Sequence, residues 1–222
     1  MSIPENLLQI KSQLPKHVAL VAVSKTKPVA DLMEAYNAGQ RVFGENYVQE
    51  LVEKHEALPK DIQWHFIGHL QSRKVKLLAP FVSLIHGVDS LKLLHEINKE
   101  AKKNNRIIDC LLQIYIAKEE SKFGFDEEEL DEMLKHVQHD KENYQNIRIV
   151  GLMGMATFTD NQDQIKREFQ NLKTIFEKVS KLKTDNCQLN TISMGMSGDY
   201  QLAIECGSTM VRIGSSIFGN RK

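Results

Sequence analysis

The chain has 222 residues, enough for one domain with a sizeable core. Its 29 Lys and Arg balance 29 Asp and Glu, which argues against a general nucleic-acid or membrane-surface binder, since either needs a basic excess. Three cysteines without a CxxC pair give no disulfide framework, and without a signal core or an apolar run of roughly 20 residues a cytosolic protein is expected.

The N-terminal segment 3–14 is amphipathic. After it, short apolar runs alternate with amphipathic charged stretches. A run at 18–24 precedes a helical pattern at 29–38, and 41–44 precedes 47–57. The series continues with 63–68 and 72–79, 82–87 and 90–104, 109–116 and 127–139, 148–155 and 164–182, and 190–195 and 199–205. A last run covers 210–214. Within 164–182, Ile165, Phe169, Leu172, Ile175, Phe176 and Val179 recur at helical spacing and give one apolar face. Cys110 adjoins an apolar run and reads as a reduced core thiol. The acidic stretch 126–129 reads as the first turn of a helix, where the dipole favours acids.

Eight strands alternating with helices predict parallel βαβ units. Runs that are apolar throughout suit strands buried on both faces. Eight such units in this length match a compact single-domain (β/α)8 TIM barrel over residues 1–222, the usual size being about 250. A doubly wound open sheet is the alternative, but the GxGxxG expected after its first strand is absent. Ser216 stands six residues from Lys222, so little helix can follow strand eight. Segment 3–14 is expected to cover that gap.

In such a barrel the chemistry sits at the C-terminal ends of the strands. Strand one ends in VSKTKP, with Lys25 where the strand gives way to a loop. A lysine forms a Schiff base only when deprotonated, by desolvation or a neighbouring cation such as Lys27. A solvated loop lysine is the competing reading. Strand seven ends in SMGMSGD, where Gly195 and Gly198 admit close backbone approach and Ser197 is expected to cap the next helix. Gly214 and Ser215 open a second tight loop after strand eight. The loops after strands seven and eight form the recurrent phosphate site of this fold, and closure brings them beside Lys25. Arg212, inside strand eight, needs a partner. That partner is either a barrel carboxylate such as Glu45 or the pyridine nitrogen of a phosphopyridoxal ring.

Six segments taken together, 22–28 (AVSKTKP), 43–46 (FGEN), 64–71 (WHFIGHLQ), 151–156 (GLMGMA), 193–197 (SMGMS) and 212–219 (RIGSSIFG), make the chain resemble the pyridoxal phosphate homeostasis protein family, single-domain relatives of the alanine racemase barrel. The departure is Arg73, where a small polar residue is expected. The resemblance implies pyridoxal 5′-phosphate as cofactor, in Schiff-base linkage to Lys25. It implies that Ser197, Gly214 and Ser215 hold the phosphate, that Arg212 faces the ring nitrogen, and that Asn46 lies near the cofactor. Met155 packs either against the ring or in the core. His65 reads as a satisfied barrel histidine, and His136 with His139 as a solvated helix face rather than a metal site.

Cofactor binding does not by itself make an enzyme. A racemase of the related type draws its second base, a tyrosine, from a β-domain, and this sequence stops at Lys222. A carrier that buffers or supplies pyridoxal phosphate, with apo-enzymes as possible recipients, is the expectation. A monomer with no nucleic-acid or membrane partner goes with it. A racemase-like enzyme of low activity and a cofactor-free Schiff-base aldolase are the alternatives.

Overall fold

The computed structural model describes residues 2–117, 123–181 and 187–219. Eight parallel strands close into a barrel in chain order: β1 (Ala19–Val23), β2 (Val42–Glu45), β3 (Gln63–Phe66), β4 (Leu84–Val88), β5 (Ile108–Gln113), β6 (Ile147–Met153), β7 (Cys187–Ser193) and β8 (Met210–Ile213). The open-sheet alternative is thereby excluded. Closure joins β1 to β8 in register, with Ala19 opposite Met210 and Ala22 opposite Ile213. The burial differs between strands: β7 leaves four of its seven positions partly or fully exposed. β4 is buried at every position.

Helices cover the outside: α2 (Val29–Asn37), α3 (Val48–Ala57), α4 (Val75–Leu78), α5 (Leu91–Lys103), α6 (Glu127–His139), α7 (Gln162–Val179), α8 (Tyr200–Glu205) and α9 (Ser215–Phe218). α7 buries Ile165, Phe169, Leu172, Ile175 and Val179, as its periodicity predicts, while Phe176 packs at the edge. Its expected end at 182 lies outside the described residues. The helix expected at 72–79 is a 3₁₀ turn, Ser72–Lys74, running into α4. Asp126 caps α6 in a capping box with Glu129, which fixes that acidic first turn. Strand seven starts three residues earlier than its apolar run suggests, at Cys187 rather than Asn190, because the exposed Gln188 interrupts the apolar pattern between buried Cys187 and half-buried Leu189.

The amphipathic N-terminus forms α1 (Ile3–Gln13), started by a capping box between Ser2 and Glu5. It lies against α9 and α2 and covers the seam left by the short α9. Asn6 Nδ2 donates to the Ile217 carbonyl at 3.0 Å, and Tyr200 Oη lies 2.6 Å from Gln13 Oε1. No described helix is long and apolar enough to cross a membrane. Cys110 is buried, and desolvation pushes its thiol far above the ordinary range.

Candidate functional site

A cavity of about 430 Å³ opens at the C-terminal end of the barrel. All six residues singled out by sequence line it: Lys25, Asn46, Ser197, Arg212, Gly214 and Ser215. Met155, Lys27, Phe158 and Gly198 also contribute to the wall.

Lys25 lies two residues beyond β1 in a tight turn, closed by Lys27 N–H donating to the Ser24 carbonyl at 3.1 Å. The turn puts Thr26 at φ +64°, a left-handed conformation that costs a β-branched residue energy. A buried charged cluster holds it there. Glu50 accepts the Thr26 N–H at 2.6 Å, and Lys54 donates to Glu50 at 2.7 Å. Lys54 Nζ also reaches the Ser24 carbonyl and Glu45 Oε1, each at 2.7 Å, and Ser24 Oγ donates to that carboxylate at 2.6 Å. Burial pushes the Glu45 carboxyl up, with Lys54 opposing. Lys27 Nζ donates to the Phe218 carbonyl at 2.8 Å and so ties the turn to α9.

The opposite wall comes from the loops after β7 and β8. Ser197 does not cap α8. The helix begins at Tyr200 with Asp199 at its N-cap, and Asp199 Oδ1 instead accepts from Met196 N–H at 2.6 Å. Ser197 Oγ accepts the Gly214 N–H at 3.2 Å, joining the two loops into one wall and leaving its own hydrogen to donate. Gly195, at φ +95°, makes the first loop possible. Gly214 is required by space, since a Cβ there would stand 3.0 Å from the Val23 carbonyl oxygen across the seam.

Arg212 is 4% exposed, and Glu45 is not its partner: Glu45 Oε1 bonds to Lys54 and Ser24. Arg212 Nη1 donates to Ser193 O at 2.8 Å and Ser193 Oγ at 2.6 Å, and Nη2 to Gly154 O at 3.1 Å. Burial lowers its pKa to about 10, with Asp199 opposing, so it stays a cation at neutral pH. Of its five N–H donors, two are left over from these three contacts for an occupant of the cavity. Asn46 Oδ1 is buried without a hydrogen-bond partner. His65 is a buried histidine at 3.0 Å from His86, as its barrel position suggests.

Sequence reasoning missed Lys54, Glu50, Ser193 and His86. Glu50 and Lys54 are visible as an i, i+4 pair, but such pairs are usually surface features. His86 and Ser193 signal themselves only as polar residues inside apolar strands.

A barrel whose catalytic-face cavity combines a strand-one lysine, a buried strand-eight arginine and a serine-glycine wall belongs to a recognisable class: residues 2–222 match the family "Alanine racemase, N-terminal domain". Within that class, the chain belongs to the pyridoxal phosphate homeostasis proteins. It is 42% identical over 207 residues to the pyridoxal phosphate homeostasis protein of Haemophilus influenzae, covering 92% of this chain and 85% of the relative. It is 37% identical over 233 residues to the Escherichia coli protein of that description, covering 99% and 97%. The solved structure of PipY from Synechococcus elongatus without PLP superposes with a TM-score of 0.92 at 35% identity, over 98% of this chain and 100% of that one. The PLP-bound form of PipY gives 0.86 at the same identity and coverage. The Enterococcus faecalis alanine racemase shares the fold, with a TM-score of 0.75 at 18% identity, over 99% of this chain and 58% of that one.

Proposed function

We propose that this protein binds pyridoxal 5′-phosphate as a Schiff base on Lys25 and serves its intracellular supply, as a carrier or buffer and not as a turnover enzyme. The observation that carries the reading is the convergence of Lys25, Ser197, Ser215 and Arg212 on one cavity at the β1–β8 seam.

The residues present fit that group. Lys25 supplies an amine, Ser197 and Ser215 supply hydroxyl donors for a phosphate, and Gly214 keeps the wall close to β1. Arg212 has an N–H group left over to donate to a ring nitrogen, and Asn46 has a buried oxygen in need of a donor. Gly198 leaves open space at the rim, since a Cβ there would meet nothing within 4 Å. When bound, the cofactor supplies an electrophilic aldehyde that condenses with an amine. Lys25 masks that aldehyde reversibly, which is what storage and release of a reactive cofactor require.

Three observations bear on carrier against enzyme. Arg212 would keep a ring nitrogen unprotonated and so weaken the ring as an electron sink, which disfavours a long-lived carbanion but does not by itself exclude racemisation, since the related racemase barrel uses such an arginine. The titratable side chains lining the cavity, among the described residues, are Lys25, Lys27 and Arg212, and Lys27 is engaged with Phe218. The relatives are described by homeostasis and not by a reaction.

The test is addition of pyridoxal phosphate, borohydride reduction and peptide mapping. Label is expected on Lys25 and none in Lys25→Ala, which stays folded. Label on Lys27 or Lys74 in the parent protein would refute the assignment. Incubation with common L-amino acids in deuterated water tests the carrier reading. Turnover on the order of 1 s⁻¹ or more would make the protein an enzyme.

A further inference from the structure

Two cavities occupy opposite ends of the barrel. The upper one is lined by Arg212. The lower one, at the N-terminal ends of the strands, is lined by His65 together with Gln63, Asp109, Arg148 and Asn190. A continuous line of buried polar side chains connects them through the barrel interior. From Arg212 on β8, Nη1 reaches Ser193 Oγ on β7 at 2.6 Å. Ser193 Oγ lies 3.1 Å from His86 Nδ1 on β4, across the barrel. His86 Nε2 lies 3.0 Å from His65 Nδ1 on β3. Ser193 and His86 are fully buried, and His65 is 6% exposed.

We propose that Ser193, His86 and His65 form a polarised hydrogen-bond chain that positions Arg212 and stabilises its charge at the cofactor cavity. The proposal rests on the reading of Arg212 as the group facing a ring nitrogen.

The direction of the chain follows from donor chemistry. A guanidinium has no acceptor, so Ser193 Oγ accepts from Arg212. That hydroxyl has one hydrogen to give, and His86 Nδ1 stands in reach of it. In the proposed chain His86 Nδ1 accepts that hydrogen, which puts the proton of the ring on Nε2. Nε2–H then donates to His65 Nδ1, which puts the proton of that ring also on Nε2, away from Arg212. Every dipole in the chain thus turns its negative end towards the guanidinium. Hydrogen bonds in a row polarise one another. The arrangement replaces a carboxylate partner: Arg212 bonds to two carbonyls and a hydroxyl, and the acid acting on it is the more distant Asp199. Both imidazoles must be neutral for this to work. Burial drives the His65 pKa down to about 3, and burial, His65 and Arg212 together hold His86 well below its ordinary value.

Nitrogen-15 NMR of the imidazoles in the cofactor-free protein tests the chain directly. Both rings should be neutral Nε2–H tautomers from pH 5.5 to 8. A proton on Nδ1 of His86, or a charged ring, would overturn the proposal, because the hydroxyl of Ser193 would then have to point elsewhere. Pyridoxal phosphate titration tests the link to Arg212. Ser193→Ala and His86→Leu should each weaken binding about tenfold or more and shift the cofactor absorbance in the same direction as Arg212→Gln. Neither should weaken binding further when combined with Arg212→Gln. His86→Gln, which keeps one acceptor and one donor, should restore much of the loss. Additive losses, or unchanged affinity and spectrum in folded His86→Leu, would sink the proposal. An Arg212→Gln protein with unaltered affinity and spectrum would instead refute the role of Arg212 itself, whatever the tautomers show. The NMR measurement on the parent protein decides the chain even where a variant fails to fold.

Discussion

Lys54 on α3 and Glu45 at the end of β2 make a 2.7 Å ion pair with side chains only 5% and 0% exposed. The pair sits under the turn that presents Lys25. Breaking a buried pair from one side leaves an uncompensated charge, typically at a cost of about 3–5 kcal/mol. Lys54→Met is therefore expected to lower unfolding free energy by about that amount. Adding Glu45→Gln should recover part of it. Urea denaturation of the parent and the two variants measures both, and a single variant within about 1 kcal/mol of the parent would show the pair to be unimportant.

The strain at Thr26 gives a second expectation. A left-handed conformation costs a non-glycine residue about 1–2 kcal/mol, and glycine returns about 0.4–1 kcal/mol of that through the unfolded chain. Thr26→Gly should be neutral or stabilising by up to about 1 kcal/mol. Thr26→Pro loses the N–H given to Glu50 and cannot reach the observed φ, so it should destabilise the turn and slow labelling of Lys25. Thermal melts together with the borohydride assay separate the two effects.

The serines should not be equivalent. A hydrogen bond to a charged group contributes about 1.5–3 kcal/mol, so Ser215→Ala and Ser197→Ala should each weaken cofactor retention by about tenfold or more. Ser197→Ala also frees the Gly214 N–H and should cost more. Gly198→Leu, entering open space, should reduce affinity while leaving the melting temperature unchanged. Equilibrium titration of the cofactor-free protein gives the ranking, and equal affinities in all four proteins would move the phosphate elsewhere.

How much of this was legible in the sequence depends on which interactions are local. The alternation of apolar runs and amphipathic stretches carries the barrel, because each strand and helix reports its own burial through its period. Lys25, Asn46, Ser197, Gly214 and Ser215 can be gathered at one face from the sequence because each follows a strand, and Arg212 because it lies inside β8 one residue from its end; the roles assigned to them come from the family resemblance. The support beneath them was not legible. Nothing near Lys54 in the sequence says that its ammonium is buried against Glu45, nine residues away, and Ser24, thirty away. Likewise Arg212 demanded a partner, but a carbonyl and a hydroxyl from β7 cannot be told from a carboxylate before the strands are placed.

Acid should expose the two buried histidines. Their folded-state pKa values are depressed, to about 3 for His65, so below pH 6.5 the unfolded chain takes up protons that the folded chain refuses. Stability is thus fully present above pH 6.5 and falls as pH drops, by about 1.4 kcal/mol per pH unit for each such histidine. The difference in unfolding free energy between pH 7.5 and pH 5 should shrink in the His65→Leu and His86→Leu proteins. An identical difference in parent and variants would mean that these rings are protonated in the native state.

The seam between β1 and β8 sets when the cavity can exist. Lys25 comes from the first strand of the barrel and Arg212 from the last, and α1 reaches across to Ile217, 211 positions away in sequence. Contacts of such long range form late, since the intervening chain must first be ordered. A nascent or nicked chain lacking its last thirty residues carries the nucleophile without the wall that would retain a ligand. Any molecule bound there bridges the first and last strands of the barrel and adds its binding free energy to the closure itself. Loading would then report on closure of that seam, and a loaded barrel would resist opening between β1 and β8.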